Sequence, residues 1–288
     1  MAALFIGGAG RSGTTLAVDL LGLHPRVSAI YETDFVGQLI QLMSRDLPAP
    51  LVAEQTLIFM ERWTRPLPHR PHNKRAHERY HHGPHHILFD RAFAMARTEE
   101  LCGAIVQGRG ALGLRHFVDA LFAEHCRLDE KPRWANKTPA YVQLLPTLAQ
   151  LWPEMRFLHC VRDGRDVAAS VLTRPWGPNT PAEAAQWWGM KVAAGVRWGQ
   201  LNPDRYHELR YEDLLADPEA TLTQVFEWLG ESPETEAILA RTASIGLDPS
   251  RAGGWQNALS PADVADFEAV GRDLLMHFGY APASRAAG

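Results

Sequence analysis

The sequence predicts an α/β fold, a central parallel sheet with helices on both faces and a helical and loop insertion at about residues 34–130. Three observations predict it. A short apolar run, Ala2–Ile6, passes through the glycine-rich turn GGAGRSGTT (Gly7–Thr15) into an apolar-periodic segment, Leu16–Leu23. A second strand-like run, Arg156–Val161, leads directly into RDGRDVAAS, with a helix expected from near Asp166. Further strand-type runs at Val27–Tyr31 and Tyr206–Arg210 alternate with helix-periodic stretches, the pattern of parallel βαβ units.

The remaining elements follow from the same signals. His24-Pro25 stops the first helix, and residues 34–62 carry helical periodicity interrupted by Pro48–Pro50. Periodicity returns over Ala92–Cys126. NKTP (Asn136–Pro139) is expected at a loop–helix junction before a helix over Tyr141–Leu151. Later helices are expected at Pro181–Gln200, Asp217–Leu229, Pro233–Thr242 and Pro261–Phe278, with Ser232 as N-cap of the third and Pro233 at its first position. No repeat or interdomain linker is visible, so residues 1–288 are expected to form one domain.

With 288 residues, 46% hydrophobic and 22% charged, the chain can bury a sizeable core, which excludes intrinsic disorder as its main state. A net charge of −4 (29 basic, 33 acidic) offers no electrostatic footprint for nucleic acid. Cys102, Cys126 and Cys160 are odd in number and form no C-x-x-C pair. That argues against a disulfide framework or thiolate zinc site and points to a reducing, cytoplasmic setting. No apolar window approaches the roughly 18 residues of a membrane span.

A glycine-rich turn between strand and helix aims backbone N–H groups and a helix dipole at one point, which suits phosphate. The nucleoside-triphosphatase version is G-x-x-x-x-G-K-[ST]. Here Gly8–Thr15 keeps the spacing, but Thr14 stands where the lysine would reach the β/γ-phosphates. Phosphate binding survives that change better than kinase or GTPase chemistry does. The loop also fits G-x-G-x-x-G, with Glu32 loosely in the acidic position, so a dinucleotide reading stays open on the loop alone. In the second segment, Arg162 lies just past a strand end, Ser170 about two helical turns on, and Arg174 one turn further. Together they make a guanidinium-and-hydroxyl cradle for a second anion.

RSGTT and VRDGRDVAAS together resemble the 5′-phosphosulfate loop and 3′-phosphate site of sulfotransferases that use 3′-phosphoadenosine 5′-phosphosulfate (PAPS). The resemblance continues through NKTP, LRYEDLLADPEATL (Leu209–Leu222) and LLMHFGY (Leu274–Tyr280). YET (Tyr31–Thr33) and NKTP are most similar to the tyrosylprotein sulfotransferase branch and its bacterial relatives. The resemblance implies a P-loop-like three-layer fold and sulfuryl transfer from PAPS to a hydroxyl or phenol acceptor, with no metal required. It implies that Arg11, Ser12, Gly13, Thr14 and Thr15 hold the 5′-phosphosulfate. Arg162, Ser170 and Arg174 would hold the 3′-phosphate, and Tyr211 would lie near the nucleotide. Glu32 matches the general base and Lys137 the catalytic lysine. Two positions depart from the branch. Gly254 precedes Trp255 where a lysine contacts the nucleotide, and Asp34 and Gln38 replace arginines that receive acidic peptides. The acceptor is therefore open among phenol, sugar, lipid and peptide hydroxyls, as is a homodimer. A small-molecule kinase and a catalytically inactive nucleotide-binding module are the alternatives. His24 is expected to be a turn residue and His159 a core residue.

Seven of the thirteen histidines fall between His69 and His86, and six Arg/Lys with one acid, Glu78, lie between Arg62 and Phe89. Gly83-Pro84 breaks the helical presentation a metal site would use. The stretch is expected to be a solvated loop or a basic lid over the acceptor. As a lid, it predicts that neutralising Arg70, Lys74, Arg75 and Arg79 together raises the acceptor KM, measured by initial rates, while nucleotide affinity stays unchanged.

Overall fold

The computed structural model describes residues 3–65, 89–241 and 247–283. The histidine-rich stretch 69–86 lies outside these, so neither the lid expectation nor a metal reading of it is addressed by the fold. The elements run β1 (Leu4–Gly8), α1 (Thr14–Gly22), β2 (Val27–Ile30), α2 (Asp34–Met43), α3 (Ala49–Trp63), α4 (Arg91–Val106), α5 (Gly110–Leu128) and β3 (Arg133–Lys137). A 3-10 turn, Pro139–Gln143, then precedes α6 (Leu145–Leu151), β4 (Arg156–Val161), α7 (Gly164–Val171), α8 (Pro181–Leu201) and β5 (Tyr206–Arg210). The chain continues with α9 (Tyr211–Ala216), α10 (Pro218–Leu229), α11 (Thr235–Arg241), α12 (Trp255–Ala258) and α13 (Pro261–His277).

The five strands are parallel, in the order β2-β3-β1-β4-β5. The chain leaves central β1 for the outer strand β2, returns to β3, then crosses β1 to β4. Strand order reverses around β1, and in open parallel sheets such a reversal opens a crevice beyond the carboxyl ends. Registers Ile6↔Lys137, Ile30↔Asn136 and Gly8↔Cys160 bring those ends level. Any β-carbon at Gly8 would collide with the Cys160 carbonyl, so glycine is required where β1 meets β4.

Alternation along β1 separates the two faces. Phe5 joins one core with Phe35, Leu121, Phe122, Tyr141 and Trp152, drawn from α2, α5, the 3-10 turn and the end of α6. Leu4 and Ile6 join another with Val18 and Leu21 of α1 and Val225 and Phe226 of α10. A third cluster, built on Val167, Trp188 and Phe267, knits α7, α8 and α13 together. Helix ends follow sequence chemistry. Thr180 with Glu183 and Ser260 with Asp263 form capping boxes ahead of Pro181 and Pro261, and Gly230 closes α10 at φ 71°.

Three expectations are corrected. Asn136 and Lys137 end a strand, β3, rather than lying at a loop–helix junction. RWANK hides its strand character because both terminal residues are charged, yet β3 lies between β1 and β2 and buries those charges against partners. Arg133 pairs with Glu231 at 3.2 Å and Lys137 with Glu32 at 2.7 Å. The segment 141–151 is divided at Leu144 into a 3-10 turn and α6. Helix α11 begins at Thr235, so Ser232-Pro233 does not cap it. The carbonyl of Ser232 is engaged by His24 Nε2 at 2.8 Å, and Glu231 by Arg26 and Arg133, which holds that stretch out of the helix. His24 is thus a turn residue buried against Phe226, and His159 lies buried on Tyr206 with its imidazole pKa pushed down to about 3 by burial.

Phe5 is fully buried and meets Trp134, Tyr141 and Trp152 edge-on, each at 5.2 Å between centroids. Phe5→Ala should cost about 3–5 kcal/mol of stability, read from urea or guanidinium unfolding at constant m-value.

Candidate active site

The loop between β1 and α1 carries the first group of candidates. Arg11 adopts a left-handed backbone (φ 73°), which side-chain-bearing residues seldom do, and Gly13 does the same at φ 82°. A β-carbon on Gly13 would collide with the ring of Tyr211, so this glycine lets the start of α9 close onto the loop. Thr14 and Thr15 are the first residues of α1, Thr14 buried and Thr15 partly so. No acidic side chain sits in that first turn to compete for the helix amides. Ser12 is buried, and its hydroxyl has no hydrogen-bond partner among the described residues. A buried hydroxyl ordinarily has one, so an oxygen-rich anion in the loop is the fitting occupant.

The second group meets the first directly. Arg11 Nε donates to Ser170 Oγ at 2.9 Å, and Arg162 Nη1 donates to the Arg11 carbonyl at 3.2 Å. The Arg162 guanidinium lies 4.5 Å from the centroid of the Tyr211 ring and 3.4 Å from Asp166, with Nε buried and without a partner among the described residues. Helix α7 starts at Gly164, two residues earlier than expected, because Asp163 caps it by accepting from the Arg165 amide. Ser170 occupies its last turn. Arg174 lies past the end of α7 in an exposed turn and does not share in these contacts.

Glu32 and Lys137 form the third group. They leave neighbouring strands, and Lys137 Nζ donates to Glu32 Oε1 at 2.7 Å. The lysine side chain is 2% exposed and the glutamate 49%, so the pair carries a sunken cation and an accessible carboxylate. Four residues beneath it were not foreseen as site residues. Asn136 Oδ1 accepts from Thr33 Oγ1 (2.9 Å) and Tyr141 OH (2.7 Å), its amide donates to the Ile30 carbonyl, and the Thr33 amide donates to Thr138 Oγ1. Burial raises the Tyr141 phenol well above its ordinary value, keeping it a donor. This network fixes the exits of β2 and β3 that carry Glu32 and Lys137. The polar spelling of NKTP after YET was the available signal.

The sequence signature of the sulfotransferase family matches residues 3–235. The chain belongs to the sulfotransferase family. It is 25% identical over 245 residues to protein-tyrosine sulfotransferase of Drosophila melanogaster, covering 83% of this chain and 40% of that one. It is 22% identical over 303 residues to protein-tyrosine sulfotransferase A of Caenorhabditis elegans, covering 97% and 67%. The chain thus spans from two fifths to two thirds of these relatives' lengths. Among solved structures, the sulfotransferase domain of the Synechococcus PCC 7002 olefin synthase superposes with a TM-score of 0.58 at 20% identity, covering 95% of this chain and 94% of that one. The sulfotransferase domain of the curacin biosynthetic pathway gives 0.57 at 17%, covering 97% and 98%. These two likenesses establish a shared fold.

In this member of the family the separate motifs meet at two carboxylates, Asp166 buried and Glu212 half-buried. Glu212 accepts from the Asp163 amide (2.9 Å) and from Tyr280 OH (2.7 Å), joining RDGRD, RYEDLL and HFGY. Burial raises the Glu212 pKa. Asp166 accepts from the amides of Gly253 (2.9 Å) and Trp255 (2.8 Å) while pairing with Arg162. The chain that departs from the branch pattern at Gly254 is therefore tied by its backbone to Asp166 and, through it, to Arg162. Among the described residues no group of three or more His, Cys, Asp or Glu is placed to hold a metal, and no helix is long and apolar enough to cross a membrane.

Asp166→Asn should loosen this tie. Amide hydrogen exchange at Gly253 and Trp255 is expected to quicken at least about tenfold, as a charge-assisted bond of roughly 1.5–3 kcal/mol is weakened.

Proposed function

We propose that residues 1–288 act as one sulfotransferase domain that moves the sulfuryl group of PAPS to a hydroxyl or phenol acceptor. The observation that carries this reading is the 2.7 Å contact between Glu32 and Lys137 on the same ridge of strand ends as the anion-fitting loop. It sets a proton acceptor and a cation side by side next to the place where an anion fits. PAPS, when bound, supplies a sulfuryl group on a phosphate leaving group. The bond from sulfur to that phosphate oxygen breaks as the bond from sulfur to the acceptor oxygen forms, and the acceptor proton goes to Glu32.

The loop residues Arg11, Ser12, Gly13, Thr14 and Thr15 hold the phosphosulfate through backbone N–H groups and hydroxyls, with the orphaned Ser12 hydroxyl in support. Arg162 and Ser170 hold the 3′-phosphate. Arg174 reaches it from the exposed turn, and Tyr211 backs the Arg162 guanidinium beside the nucleotide. Lys137 is sunken and oriented by its bond to Glu32, placed to stabilise charge that develops on the leaving oxygen without reorganising. Glu32 is accessible enough to meet an acceptor hydroxyl and accept its proton. Asp34 and Gln38 stand exposed one turn apart on α2, which favours acceptors other than acidic peptides. The reading places the domain in a reducing, cytoplasmic setting; burial raises the thiols of Cys126 to about 11 and Cys160 to about 12, which keeps both protonated and unreactive.

Calorimetry should give tight binding of 3′-phosphoadenosine 5′-phosphate (PAP) and weak binding of ATP–Mg²⁺; preference for ATP would overturn the reading in favour of a kinase. Glu32→Ala and Lys137→Ala should each lower turnover by roughly 10²–10⁴-fold, with PAP affinity kept in Glu32→Ala. Full activity in both would refute their roles.

A further inference from the structure

Helix α8 carries an aromatic and cationic group that none of the roles above uses. A β-carbon built on Gly10 would stand 3.3 Å from Trp187 Cη2, so this indole lies directly against the phosphosulfate loop. Lys191, one turn on, holds its ammonium 4.1 Å from the centroid of that ring. Trp176, in the segment following Arg174, has its centroid 6.5 Å from Trp187 with the planes 39° apart, and is 61% exposed. Helix α8 also packs against β1 and the Pro139–Gln143 turn that follows Lys137, so it borders both the loop and the Glu32–Lys137 side of the ridge.

The physical chemistry of the group is unbalanced as it stands. The two indoles stand as a tilted pair, and the outer one exposes a large apolar surface that a flat ring would cover. Lys191 is partly buried, which depresses its pKa, and among the described residues its ammonium meets the Trp187 ring and no carboxylate. Its contact with the Trp187 ring supplies charge attraction but no acceptor oxygen. A flat apolar ring carrying an anionic oxygen would cover the outer indole and give the ammonium an acceptor.

We infer that Trp176, Trp187 and Lys191 form the acceptor-recognition wedge of this domain and select a planar phenol bearing an anionic group. The inference rests on the sulfotransferase reading above. The indoles take the ring and Lys191 takes the anion, leaving the phenolic hydroxyl for Glu32.

The test uses labelled PAPS with two probe acceptors, 4-hydroxyphenylacetate and its neutral counterpart 4-methylphenol, and PAP calorimetry on every variant. The wild-type KM should be at least about tenfold lower for the charged phenol. In Lys191→Met the ratio of the two KM values should collapse toward one. Trp187→Ala should raise KM for both phenols about tenfold, with Trp187→Phe restoring most of the loss. Trp176→Ala, at an exposed position, gives the same direction if Trp187→Ala fails to fold. PAP affinity should stay within about twofold throughout. A ratio unmoved by Lys191→Met, aromatic substitutions without effect on KM, or a wild type that binds PAP but sulfates neither phenol would each overturn the wedge. Failure of the wild type to bind PAP would instead remove the sulfotransferase reading beneath it.

Discussion

The parallel order of the five strands is the constraint on which everything else in this molecule depends. Because every strand runs the same way, the chain must leave each carboxyl end over one ridge, and five exits collect there: the glycine loop after β1, Glu32 after β2, Lys137 closing β3, Arg162 after β4 and Tyr211 after β5. Residues separated by up to two hundred positions thereby become neighbours. With β1 at the centre, its loop faces β3 on one side and β4 on the other. The Glu32–Lys137 pair and the Arg11–Ser170–Arg162 group lie on the two flanks of that one strand.

The ridge is stiffened by charges that are buried or half-buried against their partners. Arg165 is buried between Asp163 and Glu268, at 2.7 and 2.8 Å, and its guanidinium lies 4.0 Å from the Trp255 ring centroid. Asp166 and Glu212 receive backbone amides from distant segments, and Arg133 anchors the start of β3 on Glu231. Buried ion pairs of this kind add little net stability, since desolvation offsets most of their attraction. Their value here is geometric, because removing one partner would strand the other. They fix the C-terminal segments against the second anion site, which apolar packing alone would leave free to slide.

Much of the site was legible in the sequence because its chemistry is local. The spacing of Gly8–Thr15 and of Arg162–Ser170 states a phosphate-type turn and a guanidinium–hydroxyl pair without reference to any other part of the chain. β3 was illegible for the opposite reason. Its charged ends are buried only because Glu32 and Glu231, about a hundred residues away in each direction, neutralise them. Asn136, Thr33, Thr138 and Tyr141 are each an unremarkable polar residue until β2 and β3 pair. Ser232-Pro233 has the form of a helix start, and tertiary contacts at Glu231 and Ser232 override that local preference.

The sequence by itself determined the fold class and the two phosphate-type turns, since periodicity and turn chemistry are written over spans of ten residues or fewer, while Glu32 and Lys137 were singled out by the resemblance of YET and NKTP. The tertiary structure decided what those groups do to one another. It alone brought Arg11 onto Ser170, sank Lys137 beneath Glu32, closed Tyr211 over Gly13 and set Trp187 against the loop. Those juxtapositions arise from strand order and helix packing, which act between segments far apart in the chain.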